Sequence, residues 1–254
     1  MPTAPRSEFL RSVVFGVVGL AMAVGLAWAA AVLLRGPDMD YVPAMAARPV
    51  VMHDGSVFFA QSHEVTIADW TRCAEAGACT LHLRQPDAAP DAAPDADYPA
   101  TGLNWVDVSQ YVAWVNEMSR HDFRLPSRAE WQAMASAVLP EAPAPIFTDP
   151  NLTWASAYLT EGLGDRRLRP TGSWSVSPEG IADLDGNVWE WTADCYRGDG
   201  GAVGGDCPAF HVGGAHDAVI PYLVRDPARG GCAVGSPPAH LGLRLVTDDP
   251  LPAS

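Results

Sequence analysis

Positive charge is scarce in this chain: 16 basic residues stand against 30 acidic ones, for a net charge of −14. Nucleic acids and anionic membrane surfaces are gripped by clustered basic side chains, so neither is expected as a partner of the folded part. The sequence has no Walker loop, no His-Glu-x-x-His and no Gly-x-Ser-x-Gly, which removes the usual phosphate-cradle, zinc-protease and serine-hydrolase chemistries. Paired acid–base carboxylates are lacking too: Glu117 falls on a helix face, Glu130 at a helix cap and Glu190 in an oxygen-rich turn. The Cys-x2-Cys doublets that mark zinc sites are absent. The five cysteines instead form two close pairs, Cys73/Cys79 and Cys195/Cys207, with Cys232 left over. Two short disulfides are expected, and they need an oxidising compartment. The odd Cys232, in Arg229-Gly230-Gly231-Cys232, is either a reactive thiol or a buried bystander.

Long uncharged runs are also rare, with one exception. Val13–Leu34 is 22 residues without a charge, enough to span a bilayer. Arg6 and Arg11 precede it, so the positive-inside rule leaves residues 1–12 in the cytoplasm and puts the rest outside. The expectation is a single-pass inner-membrane protein with its domain in the periplasm. The competing reading is a cleaved signal peptide cut near Ala29-Ala30-Ala31, which gives a secreted form. Residues 35–49 read as a linker, 50–248 as one domain and 249–254 as a tail. At 254 residues and 48% apolar, a single sizeable core is affordable, and 23 glycines, 23 prolines and nine tryptophans point to a loop-rich fold packed by aromatics.

Within that domain Val50–Ala60 reads as strand with a turn at Asp54-Gly55. Thr66 with Asp69 starts a helix that Gly77 ends. Asn104 caps a second helix in which Val108, Tyr111, Val112, Val115 and Met118 share one face, and Ser127 with Glu130 forms the capping box of a third, running to about Val138. Asp87–Tyr98 carries a tandem Asp-Ala-Ala-Pro and reads as a surface loop. Residues 140–180 read as mostly irregular, and Leu241–Val246 as a closing strand. The densest stretch is Ile181–Tyr196. Asp183, Asp185, Asn187 and Glu190 place four oxygen-bearing side chains around Gly186, before a strand Val188–Thr192 with Trp189 and Trp191 on one face. Polar turn and calcium site are both open readings of this stretch, whose spacing is not that of an EF-hand.

Thr101–Trp105 with Phe123–Trp131, then Asp183–Trp191, then Leu241–Val246 resemble, in order and spacing, the formylglycine-generating enzyme (sulfatase-modifying factor) family. The resemblance implies one α+β domain, loop-rich and C-type-lectin-like, with structural calcium. The family's second calcium site corresponds to Asp183, Gly186, Val188 and Glu190, with Gly186 and Val188 contributing backbone carbonyls. Its other calcium site does not carry over, since Ser156 stands near an asparagine position and Gly162–Arg169 holds no recognisable acidic partner.

The family's enzymes oxidise a sulfatase cysteine to formylglycine with oxygen and a copper(I) ion held by two cysteines. Aligned on the paired glycines Gly213-Gly214, those positions are Ala218 and Leu223; aligned on Arg225 and Arg229, they are His216 and Pro221. No cysteine lies between Cys207 and Cys232, so the soft thiolates that copper(I) needs are missing. The implied role is that of an accessory, maturation or binding factor for an exported protein or peptide, for example a copper nitrite reductase. The alternative is a metal-dependent oxidoreductase, or a formylglycine-generating enzyme with a non-standard site, built on His211 and His216 with Asp217. Its simpler counterpart is two ordinary loop histidines.

Overall fold

A computed structural model describes Met22 and residues 36–83, 95–139, 167–198, 207–215, 218–229 and 238–252. The chain divides into Met1–Pro37 and a compact unit, Asp38–Ser254. Of the expected membrane segment 13–34, only Met22 lies among the described residues, and it is helical. No helix among the described residues is long and apolar enough to cross a membrane.

The compact unit begins with residues expected to be a linker, and they are packed. Ala46 donates its amide to Ala60, Met45 bridges Gln61, and the Tyr41 ring meets Trp114 edge-on at 5.9 Å. A hairpin follows, β1 (Val50–Val51) and β2 (Val57–Ala60), turned by Gly55 at φ 87 with Asp54 capping the Ser56 amide at 2.9 Å. Three helices come next: α1 (Ile67–Glu75), α2 (Trp105–Ser119) and α3 (Arg128–Ala135). Each starts with a complete capping box, Thr66/Asp69, Asn104/Asp107 and Ser127/Glu130, which satisfies two otherwise orphaned amides per helix. The third helix ends at Ala135, three residues short of the expected Val138.

Five strands follow among the described residues: β3 (Trp189–Tyr196), β4 (Ala209–Gly213), β5 (Ala218–Pro221), β6 (Leu241–Gly242) and β7 (Val246–Thr247). One sheet has the order β5-β4-β3-β6, with β6 parallel to β3; the other is β1-β2-β7. The stretch expected as one closing strand, Leu241–Val246, therefore belongs to both sheets. Between its two ends, Leu243, Arg244 and Leu245 are wholly buried, and the carbonyls of Leu243 and Leu245 accept from Val65 and Gln61 at 2.9 Å. β4 and β5 were not anticipated. A register shift between Trp191 and Cys195 bends β3 against β4.

Aromatic packing joins helices to sheets. Trp70 of α1 stacks on Tyr111 of α2 at 5.7 Å, and Trp191 is fully buried with its indole N–H on the Leu103 carbonyl at 2.9 Å. Burying a side chain of this size contributes about 1.5–3 kcal/mol. Both expected disulfides are present, with Cα separations of 5.3 Å for Cys73–Cys79 and 5.8 Å for Cys195–Cys207. The first ties the end of α1 to the next turn, and the second joins the end of β3 to the start of β4. The described chain is a mixed α/β fold in which short strands and capped helices are held together by loops.

Candidate functional site: a buried carboxylate cluster and its loop

The turn Asp183–Glu190 delivers two carboxylates into the interior. Asp183 and Glu190 are both buried, and Glu64, from the loop before α1, is fully buried beside them. One guanidinium faces these three acids. Arg244, itself 0% exposed, donates to Glu190 Oε1 from Nη2 at 2.8 Å and from Nε at 3.0 Å, and its other donors take the carbonyls of Ala182 (2.8 Å) and Gln61 (3.0 Å). Trp131 of α3 donates its indole N–H to Glu190 Oε2 at 2.8 Å. Asp183 accepts from two backbone amides, Trp174 at 2.8 Å and Gly172.

Glu64 is the odd member. Neither of its carboxylate oxygens has a hydrogen-bond partner, and the neighbouring Gln61 Nε2 has none either. Burial pushes the Glu64 carboxyl well above the usual carboxylate range; Arg244 opposes that shift, while Glu190 and Asp183 add to it. Three buried acids thus share one guanidinium, and ionising all of them together would be costly. No three His, Cys, Asp or Glu side chains among the described residues are grouped closely enough to hold a metal by themselves. A calcium shell, however, also draws on backbone carbonyls, and a carboxylate has about four acceptor positions, so engaged oxygens retain some capacity. The donors here are all oxygen and buried, with Glu190 held by Arg244, Asp183 by two backbone amides, and the two Glu64 oxygens open. Gly186 is under close constraint there, because a Cβ on it would fall 2.3 Å from the Trp174 ring.

The second candidate region is where the copper-binding thiolates would stand. Gly213 and Gly214 each lie beneath an indole: a Cβ would come 2.1 Å from Trp131 on Gly213 and 2.2 Å from Trp189 on Gly214. The paired glycines thus exist to let two rings lie flat on the backbone. Ala218, opposite Val212, is 0% exposed, whereas Leu223 is 58% exposed beside Tyr222. Their segment is fixed to the start of α2, with the Trp105 amide on the Tyr222 carbonyl at 2.9 Å and Arg225 on both oxygens of Asp107 at 2.8 and 2.9 Å. Pro221 ends β5. His211 sits on β4 with its ring edge-on to Tyr196 at 5.7 Å, and its carbonyl accepts from the Thr192 hydroxyl. His216, Asp217 and Cys232 lie outside the described residues. All four described cysteines are in disulfides.

Sequence reasoning missed Glu64, Gln61 and the pairing role of Arg244. The His-Glu-Val-Thr run has no periodic signature, and Arg244 reads as one more alternating strand position; burial is the only signal, and it exists only in three dimensions.

Residues 29–249 match the family described as the sulfatase-modifying factor enzyme 1-like domain. A formylglycine-generating enzyme of Thermomonospora curvata is 26% identical over 128 residues, 46% of this chain and 39% of that protein. The inactive C-alpha-formylglycine-generating enzyme 2 of Bos taurus is 32% identical over 114 residues, 40% of this chain and 34% of that one. A serine/threonine-protein kinase, pkn1 of Chlamydia caviae, is 28% identical over 101 residues, 40% of this chain but 14% of the kinase. This chain therefore spans less than half the length of the curated relatives it matches. Among solved structures, Treponema denticola variable protein 1 shares the fold with a TM-score of 0.50 at 15% identity, covering 82% of this chain and 94% of that one. On its motifs, its fold and this match across most of its length, the chain belongs to the formylglycine-generating enzyme (sulfatase-modifying factor) family.

Proposed function

We propose that this protein is a non-catalytic family member, tethered by residues 13–34 with its domain in the periplasm, that binds and assists an exported protein, for example a copper enzyme during maturation. The observation that carries this reading is the replacement of both thiolate positions. On the glycine-anchored alignment one position is a wholly buried Ala218 and the other an exposed Leu223. Neither offers a lone pair to copper(I), whose preferred ligands are thiolates and thioethers. On the arginine-anchored alignment the positions are His216 and Pro221, again without a thiolate. The similarity to a relative named as inactive supports the same reading.

The reading keeps calcium as a structural ion, held by Asp183 and Glu190 with the carbonyls of Gly186 and Val188. Bound there, the ion neutralises buried carboxylate charge; Arg244 orients Glu190, and Trp131 transmits that position to α3. The decisive assay incubates the purified protein with copper(I), oxygen and a sulfatase-derived cysteine peptide, then follows aldehyde formation by mass spectrometry. No aldehyde is expected, and turnover to formylglycine would overturn the proposal.

A further inference from the structure

The two disulfides stand in unlike surroundings. Cys73 and Cys79 are 0% and 2% exposed, and the turn they close is also held by the Ala78 and Cys79 amides, which donate to the Cys73 carbonyl at 3.1 and 3.3 Å. Cys195 and Cys207 are only partly buried against the same core. Thiol–disulfide exchange needs access of a thiolate to a sulfur, and exposed disulfides are the ones that exchange readily. A reductant in solution therefore meets Cys195–Cys207 first.

The more accessible bond also ties together more of the fold. β3 and β4 shift register between Trp191 and Cys195, and beyond that irregularity Cys195 lies opposite Phe210 and Tyr196 opposite Ala209. A ladder end this short frays unless something closes it, and Pro208, between Cys207 and Ala209, has no amide to add. The Pro208 carbonyl instead accepts from the Tyr222 amide at 3.2 Å, while Ala209 and Phe210 lie opposite Pro221 and Ile220 of β5. Phe210 stacks on Trp105 with 3.4 Å between ring centroids, and the Trp105 amide donates to the Tyr222 carbonyl at 2.9 Å. The disulfide thus closes a patch where the end of β3, the start of β4, the end of β5 and the start of α2 meet. The turn that leaves this patch carries Tyr222 and Leu223, 38% and 58% exposed.

We propose that Cys195–Cys207 is a redox latch: a dithiol reductant opens it in the folded protein while Cys73–Cys79 stays closed, and opening loosens the joined ends of β3 and β4 together with the Tyr222–Leu223 turn. One thiolate of the reductant attacks either sulfur and breaks the Cys195–Cys207 bond, giving a mixed disulfide with one cysteine and releasing the other. The reductant's second thiolate then displaces the cysteine still bound. The reductant leaves as its own disulfide, and its two electrons and two protons remain on Cys195 and Cys207 as thiols. Neither the accessory role nor calcium is required for this.

The test uses the native full-length protein with the Cys232 thiol alkylated beforehand. It is treated with increasing dithiothreitol, quenched with a second alkylating label and read by peptide mass spectrometry, and hydrogen exchange is followed before and after opening. Cys195 and Cys207 are expected to take up label about tenfold or more faster than Cys73 and Cys79. Opening is expected to speed exchange of the Trp105, Tyr222 and Val224 amides about tenfold, leaving the α1 amides unchanged. Equal labelling of the two pairs, or faster opening of Cys73–Cys79, overturns the selectivity, and unchanged exchange after opening overturns the coupling. The Cys195→Ser/Cys207→Ser double variant should show the faster exchange without reductant and no further response at the same dithiothreitol concentration. Wild-type exchange in that variant, or a persisting response, contradicts the latch.

Discussion

At the scale of single residues, Arg244 has the heaviest duty, because among the described residues it is the guanidinium that faces three buried acids. Arg244→Met is expected to destabilise the domain by about 3–5 kcal/mol, the usual cost of stripping a buried charge of its partner. Chemical denaturation measures it, and a loss under 1 kcal/mol would mean that Glu190 finds another partner. The glycine pair makes a different prediction. A methyl group on Gly213 or Gly214 would meet an indole at 2.1–2.2 Å, so either substitution to Ala should cost about 1–3 kcal/mol through displacement of Trp131 or Trp189. Some of this was legible in the letters. Asp183 and Glu190 stood out because oxygen-bearing residues are dense around Gly186. Glu64 did not, because an acid beside His63 looks like any exposed one until the chain closes over it.

At the scale of elements, the helices were the most readable part. Thr66/Asp69 and Ser127/Glu130 encode capping boxes within four consecutive residues, so the helix starts are local facts. The strands were less readable. β4 contains Gly213 and β5 ends in Pro221, residues that depress strand signals, and the pairing that stabilises them is non-local, β4 on β3 and β5 on β4. The closing stretch alternates as one strand should, yet the chain divides it between sheets, which no periodicity could indicate. The α3 cap also sets an acid limb. Burial raises the Glu130 carboxyl, but Arg124 at 2.7–2.8 Å and the Ser127 amide at 2.7 Å outweigh it, and the net shift is downward. A group depressed on folding stabilises above its unfolded value, near 4.3, and that contribution disappears as pH falls through its folded value. Glu130→Gln should therefore be less stable than wild type at neutral pH and converge with it in acid. A constant difference down to pH 2 would refute the assignment.

At the scale of the whole molecule, two short disulfides, three capped helices and aromatic packing hold the described residues together. Closing loops of 6 and 12 residues is worth about 2–3 kcal/mol each by the chain-entropy estimate, so the Cys73→Ser/Cys79→Ser double variant should unfold at clearly lower denaturant concentration. The family frame has been kept, while no cysteine lies between Cys207 and Cys232, where the resemblance places the family's thiolates. Keeping the fold needs Trp131, Glu190, Trp191 and Arg244, none of which touches copper chemistry. Losing the chemistry needs only two side chains to change. The most direct measurement of that separation is competition for copper(I) between the purified protein and a chromophoric chelator. The account predicts no tight site and no thiolate-to-copper absorption; a stoichiometric copper(I)–thiolate complex would contradict it.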